Sequence, residues 1–227
     1  REHIKIITQK DDDYPKILLQ IYDPPVALFV RGTLKKEEPS IAVVGSRKNT
    51  VYGKQVVDEI VGELSRNGIT IISGLALGID ALAHKTTLQN NGRTIAVLGG
   101  GIDNRTIAPR YNAFMAKEII EKGGAVISEY PPETQPTRFT FPQRNRIIAG
   151  LALGTLVIEA GEKSGTLITA QCALDSNRDV FAVPNNIFHP SAKGTNNLLK
   201  FGAKIVTSAN DILETLNISE FTRQVVA

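Results

Sequence analysis

From Ile41 onward the chain alternates short, nearly unbroken apolar runs with segments of helical length, and this rhythm restricts the fold more than any other feature. The runs Ile41–Val44, Ile69–Ile72, Thr94–Leu98, Ala125–Ile127, Thr155–Ile158, Val180–Val183 and Lys204–Val206 are rich in β-branched residues. Strands that are apolar on both faces belong inside a parallel sheet covered on both sides. Helix candidates lie between them at Val51–Asn67, Ile79–Asn90, Tyr111–Glu121, Gln143–Ala152, Leu167–Ser176 and Asn196–Phe201, and Asn210–Leu216 closes the series. Alternating strands and helices build right-handed βαβ units. The expected class is therefore α/β: a Rossmann-like, doubly wound, mostly parallel sheet with helices on both faces.

Residues 1–38 depart from the rhythm. Asp11–Pro15 reads as a helix entry, Lys16–Ile21 as a short helix ending at Asp23-Pro24-Pro25, and Val26–Arg31 as an added strand. Lys35–Pro39 is a polar connector. The expected organisation is an N-terminal extension over 1–38, a main domain over 39–217 and a tail over 218–227, a truncated lead into a further domain. The chain begins with Arg1 rather than Met, so it reads as a fragment of a longer protein.

Composition narrows the class without choosing a function. A single cysteine excludes a disulfide scaffold and suits a reducing, cytoplasmic setting, with Cys172 read as a packing residue. No apolar run reaches the ~18–20 residues that cross a bilayer, and no signal peptide opens the chain, so no membrane partner is expected. The net charge of +3 and pI near 9.0 permit a polyanionic partner without requiring one. Distribution says more: Thr134–Ile158 holds no acidic residue but carries Arg138, Arg144 and Arg146.

In open α/β sheets, ligands sit beyond the carboxyl ends of the strands. Those ends carry Gly45-Ser46-Arg47, then Ser73-Gly74 leading to Gly78, then Gly99-Gly100-Gly101, and later Ser164-Gly165-Thr166. Glycine admits close approach of a phosphate, helix N-termini present free N–H groups, and Ser46, Ser73 and Ser164 add hydroxyls. Arg47 and Arg138 can supply paired guanidinium donors. For any single loop, glycine is equally explained by a tight strand-to-helix turn; the repetition along one edge favours anion binding.

Familiar nucleotide motifs are absent. The first turn lacks G-x-G-x-x-G, and no acid follows the second strand to hold a ribose. Lys163-Ser164 suggests a Walker loop, but Glu162 and Val157 occupy its glycine positions. His3, His84 and His189 show no metal-ligand spacing, so neither a metal nor a cofactor is expected, and no catalytic set assembles. His84 reads as a packing residue. Asp80 suits a helix start, while Glu129 and Glu159 are read as partners for Arg144 or Arg146. The run Arg138-Phe139-Thr140-Phe141-Pro142-Gln143-Arg144-Asn145-Arg146 interleaves guanidiniums with rings, a combination suited to an unpaired strand. One of Phe139 and Phe141 is expected in the core.

Seven ordered stretches resemble the DNA-processing protein A family (DprA, also called Smf): Val44–Arg47 with Tyr52-Gly53, Ser73–His84, Ala96–Asp103, Ser128–Pro131, Phe141–Gly150, Glu159–Ala170 and Asp179–Pro184. The resemblance spans roughly residues 14–210. It implies a Rossmann-like domain that binds single-stranded DNA, dimerises and helps load RecA recombinase during natural transformation, without turnover. It places the DNA pocket at Gly45, Ser46, Arg47 and Arg138, with Phe141, Arg144, Asn145 and Arg146, and with Lys163, Ser164 and Gly165. It places dimerisation on Asn197, Leu198, Leu199 and Ile205. Two positions depart from the family pattern, Ala108 before Pro109 and Asn185 after Pro184. The competing reading is an enzyme, a nucleotide phosphoribohydrolase of the lysine-decarboxylase-like group using Glu159; Glu159–Thr166 lacks that group's Pro-Gly-Gly-x-Gly-Thr loop.

Overall fold

The computed structural model describes residues 3–217, so the expected tail over 218–227 lies outside the described residues. One sheet of nine strands runs through them: β1 (Lys5–Thr8), β2 (Ala27–Gly32), β3 (Ser40–Val44), β4 (Thr70–Ser73), β5 (Thr94–Val97), β6 (Ala125–Ser128), β7 (Gly154–Val157), β8 (Asp179–Ala182) and β9 (Lys204–Ile205). Their order is β1-β2-β6-β5-β4-β3-β7-β8-β9. Strands β3 to β9 pair in parallel, and β1 and β2 add antiparallel beside β6. The fold is the Rossmann-like, mostly parallel α/β class that the alternation implies.

Strand β3 shows why its sequence is apolar throughout. Ile41 and Val43 face one core layer with residues of α2 (Gly62–Arg66), α3 (Ile79–Gln89) and α8 (Ala209–Thr215). Ala42 and Val44 face the opposite layer, with Ile147 and Ile148 of α5 (Thr140–Gly150) and Ala170 and Ala173 of α6 (Thr166–Asp175). A third cluster packs α4 (Ala113–Glu121) over β5 and β6 through Ala116, Ile119, Ala96 and Val126. Each fully buried Ile or Leu contributes ~1.5–3 kcal/mol over exposure, so both faces hold the strand in register.

The helix expected over 51–67 forms as α1 (Val51–Val56), a π-helical turn (Val57–Val61) and α2. The N-terminal segment contributes two strands to the common sheet and a 3-10 turn (Leu18–Gln20) whose Leu18 packs into the core beside α5. Strand β1 escapes the sequence pattern because it is a four-residue edge strand in which only Ile7 is buried. A helix α7 (Lys193–Lys200) precedes β9. No helix among the described residues is long and apolar enough to cross a membrane.

The connections reverse direction between two neighbouring strands. From β3 the chain winds through β4 and β5 to β6, whereas from β7 it winds the other way through β8 to β9. The crevice beyond the carboxyl ends of β3 and β7 is thus the topological switch point, where ligands of such sheets bind.

Candidate functional site

A cavity of about 790 Å³ opens at that switch point. The turn after β3 supplies Gly45, Ser46, Arg47 and Lys48, and the β7–α6 loop supplies Ser164, Gly165 and Thr166. The segment leading into α5 supplies Pro136, Thr137, Arg138 and Phe141, with Arg144 and Asn145 one turn on. A hydrogen bond from the Thr166 hydroxyl to the Gly45 carbonyl (3.0 Å) ties the two sides of the crevice together.

Two glycines set the floor. Gly45 is buried, and a Cβ there would come within 2.6 Å of the Ile79 side chain, so its type is set by packing against α3. Gly78 has φ +80°, and a Cβ would lie 2.2 Å from the Ser46 carbonyl oxygen. That close approach lets the Ile79 N–H donate to the same carbonyl (3.1 Å) and fixes the β3 turn against the start of α3. Gly165 differs: nothing lies within 4 Å of its Cβ position, leaving open space at the backbone where α6 begins. Of the three serines expected on the rim, Ser73 is turned away. It is fully buried and donates to the Val43 carbonyl (2.7 Å).

Helix α5 starts at Thr140, three residues before the sequence pattern suggests. Thr137 and Thr140 shape its entry: the Thr140 hydroxyl accepts the Thr137 N–H (2.9 Å), and the Thr137 hydroxyl accepts the Thr140 N–H (3.3 Å). Pro142 falls in the first turn, where a missing N–H costs nothing. This earlier start puts Phe141 and Arg144 three apart on one helix face. The Phe141 ring lies over Gly99, with the Arg47 guanidinium 5.7 Å and the Arg144 guanidinium 6.0 Å from its centroid. Phe139 is the exposed ring, capped by Arg138 at 4.7 Å.

The arginines separate into two kinds. Arg47 and Arg138 are exposed, as is Lys48. Arg144 is only 4% exposed and donates to the carbonyls of Gly74 (2.9 Å) and Val97. Burial pulls its guanidinium down to about 10, partly offset by the nearby Asp80 carboxylate. Asp80 is itself buried and accepts the Gly74 N–H (3.1 Å); burial raises its pKa against the pull of Arg144. Arg144 thus braces the floor through Nη1. Arg146 leaves the cavity altogether, held by Glu129 (2.6 and 2.9 Å) and Asp23 (3.1 Å). Lys163 is exposed but does not line the cavity.

Glu129 takes one of the roles its position suggested, and Glu159 does not. Fully buried, Glu159 accepts from the Thr50 N–H (3.0 Å), the Thr50 hydroxyl (2.6 Å) and the Ser191 hydroxyl (3.1 Å), and it meets no arginine. His84 is a core residue. The Thr94 hydroxyl spends its proton on the Ile71 carbonyl (2.6 Å), so Nδ1–H of His84 must donate to Thr94 (2.7 Å). Its Nε2 is buried without a partner, and burial drives the imidazole pKa down to about 3. Among the described residues no group of three or more His, Cys, Asp or Glu is placed to hold a metal ion.

The predicted dimer residues lie at the far end of the sheet. Ile205 is 59% exposed on β9, whose outer edge has no strand neighbour among the described residues. Asn197 is exposed, Leu199 is half-buried, and Leu198 packs partly against the core.

A Rossmann-like sheet with an open cavity at its switch point, lined by the exposed Arg47, Lys48 and Arg138, defines the class: an α/β domain with a candidate ligand site beyond its strand ends. The chain belongs to the DNA recombination-mediator protein A family, whose model matches residues 5–217. It is 47% identical over 212 residues to the Escherichia coli protein Smf, covering 93% of this chain and 56% of that protein, so it spans just over half of that relative's length. The structure of DNA processing protein A from Streptococcus pneumoniae superposes with a TM-score of 0.86 at 43% identity, over 94% of this chain and 74% of that one. The Helicobacter pylori DNA processing protein A, whose structure was determined for its single-stranded DNA binding mode, gives a TM-score of 0.83 at 29% identity, over 96% of this chain and 99% of that one.

Proposed function

We propose that this chain binds single-stranded DNA in the switch-point cavity, acting as a homodimer that protects incoming strands and helps load RecA during natural transformation in the cytoplasm. One observation carries the reading: Arg47 and Arg138 are exposed guanidiniums lining one open trough, beside the bare Gly165 backbone. A trough open at the surface suits a continuous polyanion, and the Helicobacter pylori relative's mode of DNA binding supports that ligand. Ser46, Ser164 and Asn145 add polar contacts, Phe141 forms the apolar floor, and Arg144 serves by holding Phe141 and Gly74 in place. The enzyme reading finds less support, because all three contacts of the Glu159 carboxylate are internal and it does not line the cavity.

The test is fluorescence anisotropy of labelled oligo-dT across a salt series. Each phosphate contact to a single strand contributes a slope of about −0.7 in log K against log salt. Arg47→Ala and Arg138→Ala are each expected to weaken binding and to flatten that slope by about one contact. Parental binding by both variants would refute the assignment. For the RecA role, stimulation of filament formation on single strands should disappear with Arg47→Ala.

A further inference from the structure

A second cavity, about 720 Å³, opens beside the first, between the start of α1 and the long β8–α7 loop. It is lined by Val51, Tyr52, Asn185, Asn186 and His189, with Thr50 at its near edge. Lys48 lines the first cavity and Thr50 the second, so one residue, Asn49, separates them, about 7 Å of backbone at most. A chain of nucleotides leaving the first cavity past Lys48 meets the second directly.

Two amides lead the polar lining. The Asn185 side-chain oxygen accepts the Asn186 N–H (2.7 Å), and the Asn186 oxygen accepts the Phe188 N–H (3.0 Å). The Ser191 hydroxyl spends its proton on Glu159, so Nδ1–H of His189 donates to the hydroxyl oxygen (2.8 Å) and Nε2 is left as an acceptor. What remains for a ligand is two amide NH₂ groups, both donors, together with Nε2 of His189. Val51 in the lining is 76% exposed, and the loop that carries Asn185, Asn186 and His189 also carries Ile187, 72% exposed, and Phe188, 88% exposed, large apolar groups that a folded domain ordinarily hides. Tyr52 is fixed by its hydroxyl, which donates to the Pro184 carbonyl (2.7 Å).

The geometry points to a second subsite for the same unpaired strand, in which bases stack on Phe188 and Tyr52 while Asn185 and Asn186 donate to base carbonyls or phosphate oxygens. Nucleic acid is the occupant favoured by continuity with the basic trough and by the two amide donors, since bases and phosphates present many acceptors. Stacking accepts any base, so the subsite adds affinity with little sequence preference. This inference rests on single-strand binding in the first cavity, and it predicts a dependence on strand length that the first cavity alone does not produce.

Oligo-dT of about 6 and about 20 nucleotides separates the two readings. Phe188→Ala removes an exposed ring. Val51→Glu places a negative charge in the second cavity at the first position of α1, where an acid favours the helix, so the fold is preserved. Each is expected to weaken binding of the long strand about fivefold or more and to leave the short strand unchanged. Crosslinking from a thio-substituted thymidine should reach the Tyr52 and Phe188 peptides only with the long strand. If Arg47→Ala weakens both lengths while neither new variant affects the long strand, the subsite is wrong and the first cavity stands. Equal losses on both lengths would also overturn the subsite. Parental binding by Arg47→Ala and Arg138→Ala would instead bring down the reading on which it depends.

Discussion

Arg144 illustrates how far a residue's neighbours outweigh its type. Its guanidinium is sealed beneath Phe141 and beside Asp80, so Arg144→Ala would leave that carboxylate buried without its counter-charge. Urea denaturation should record that loss, together with the hydrogen bonds to Gly74 and Val97, as a fall in midpoint. His84 gives a pH signature. Folded His84 stays neutral down to about 3, whereas the unfolded chain takes up its proton near 6.5. Below 6.5 the unfolded state binds more protons, so stability falls as pH drops from 6.5 toward 3 and is fully present above 6.5. Denaturant midpoints at pH 7 and pH 5 should differ markedly in the parent and much less in His84→Leu. The sequence revealed Arg47 and Arg138 as rim candidates, because they lie in polar or glycine-rich turns with no acid beside them. It also offered Glu129 as a partner for Arg144 or Arg146, which holds for Arg146, but it could not supply Gly74, Val97 and Asp23, which are distant in sequence.

At the scale of elements, the periodic runs made the parallel strands legible, and the least periodic pieces stayed hidden. Strand β1 has one core-facing residue, too little signal for a pattern. The start of α5 was obscured by Pro142, which a first turn accommodates as readily as a loop does. The turn joining β4 to α3 carries a sharper prediction. Gly78→Ala must place a side chain at φ +80° against the Ser46 carbonyl, so a loss of about 2–3 kcal/mol is expected, with weaker DNA binding as Arg47 shifts. Thermal denaturation and anisotropy on the same variant check both halves. At the opposite end of the sheet, β9 offers an open edge with Ile205 exposed. Ile205→Glu is expected to convert a dimer to monomers in sedimentation velocity, leaving the fold unchanged by circular dichroism.

Across the whole molecule, the fold class was readable because one rule, apolar strand then helix, repeats from β3 to β9. The site was readable only as an edge. Its location required the strand order, and hence the fact that β3 and β7 lie side by side. That adjacency has a thermodynamic consequence. The two sides of the cavity meet through groups 121 residues apart in sequence, Gly45 and Thr166, so the binding surface does not exist until the sheet has closed. A strand of DNA that engages both sides therefore recognises only the completely assembled domain. Bound nucleic acid should act as a clamp on global unfolding, raising the melting temperature in proportion to the logarithm of its concentration.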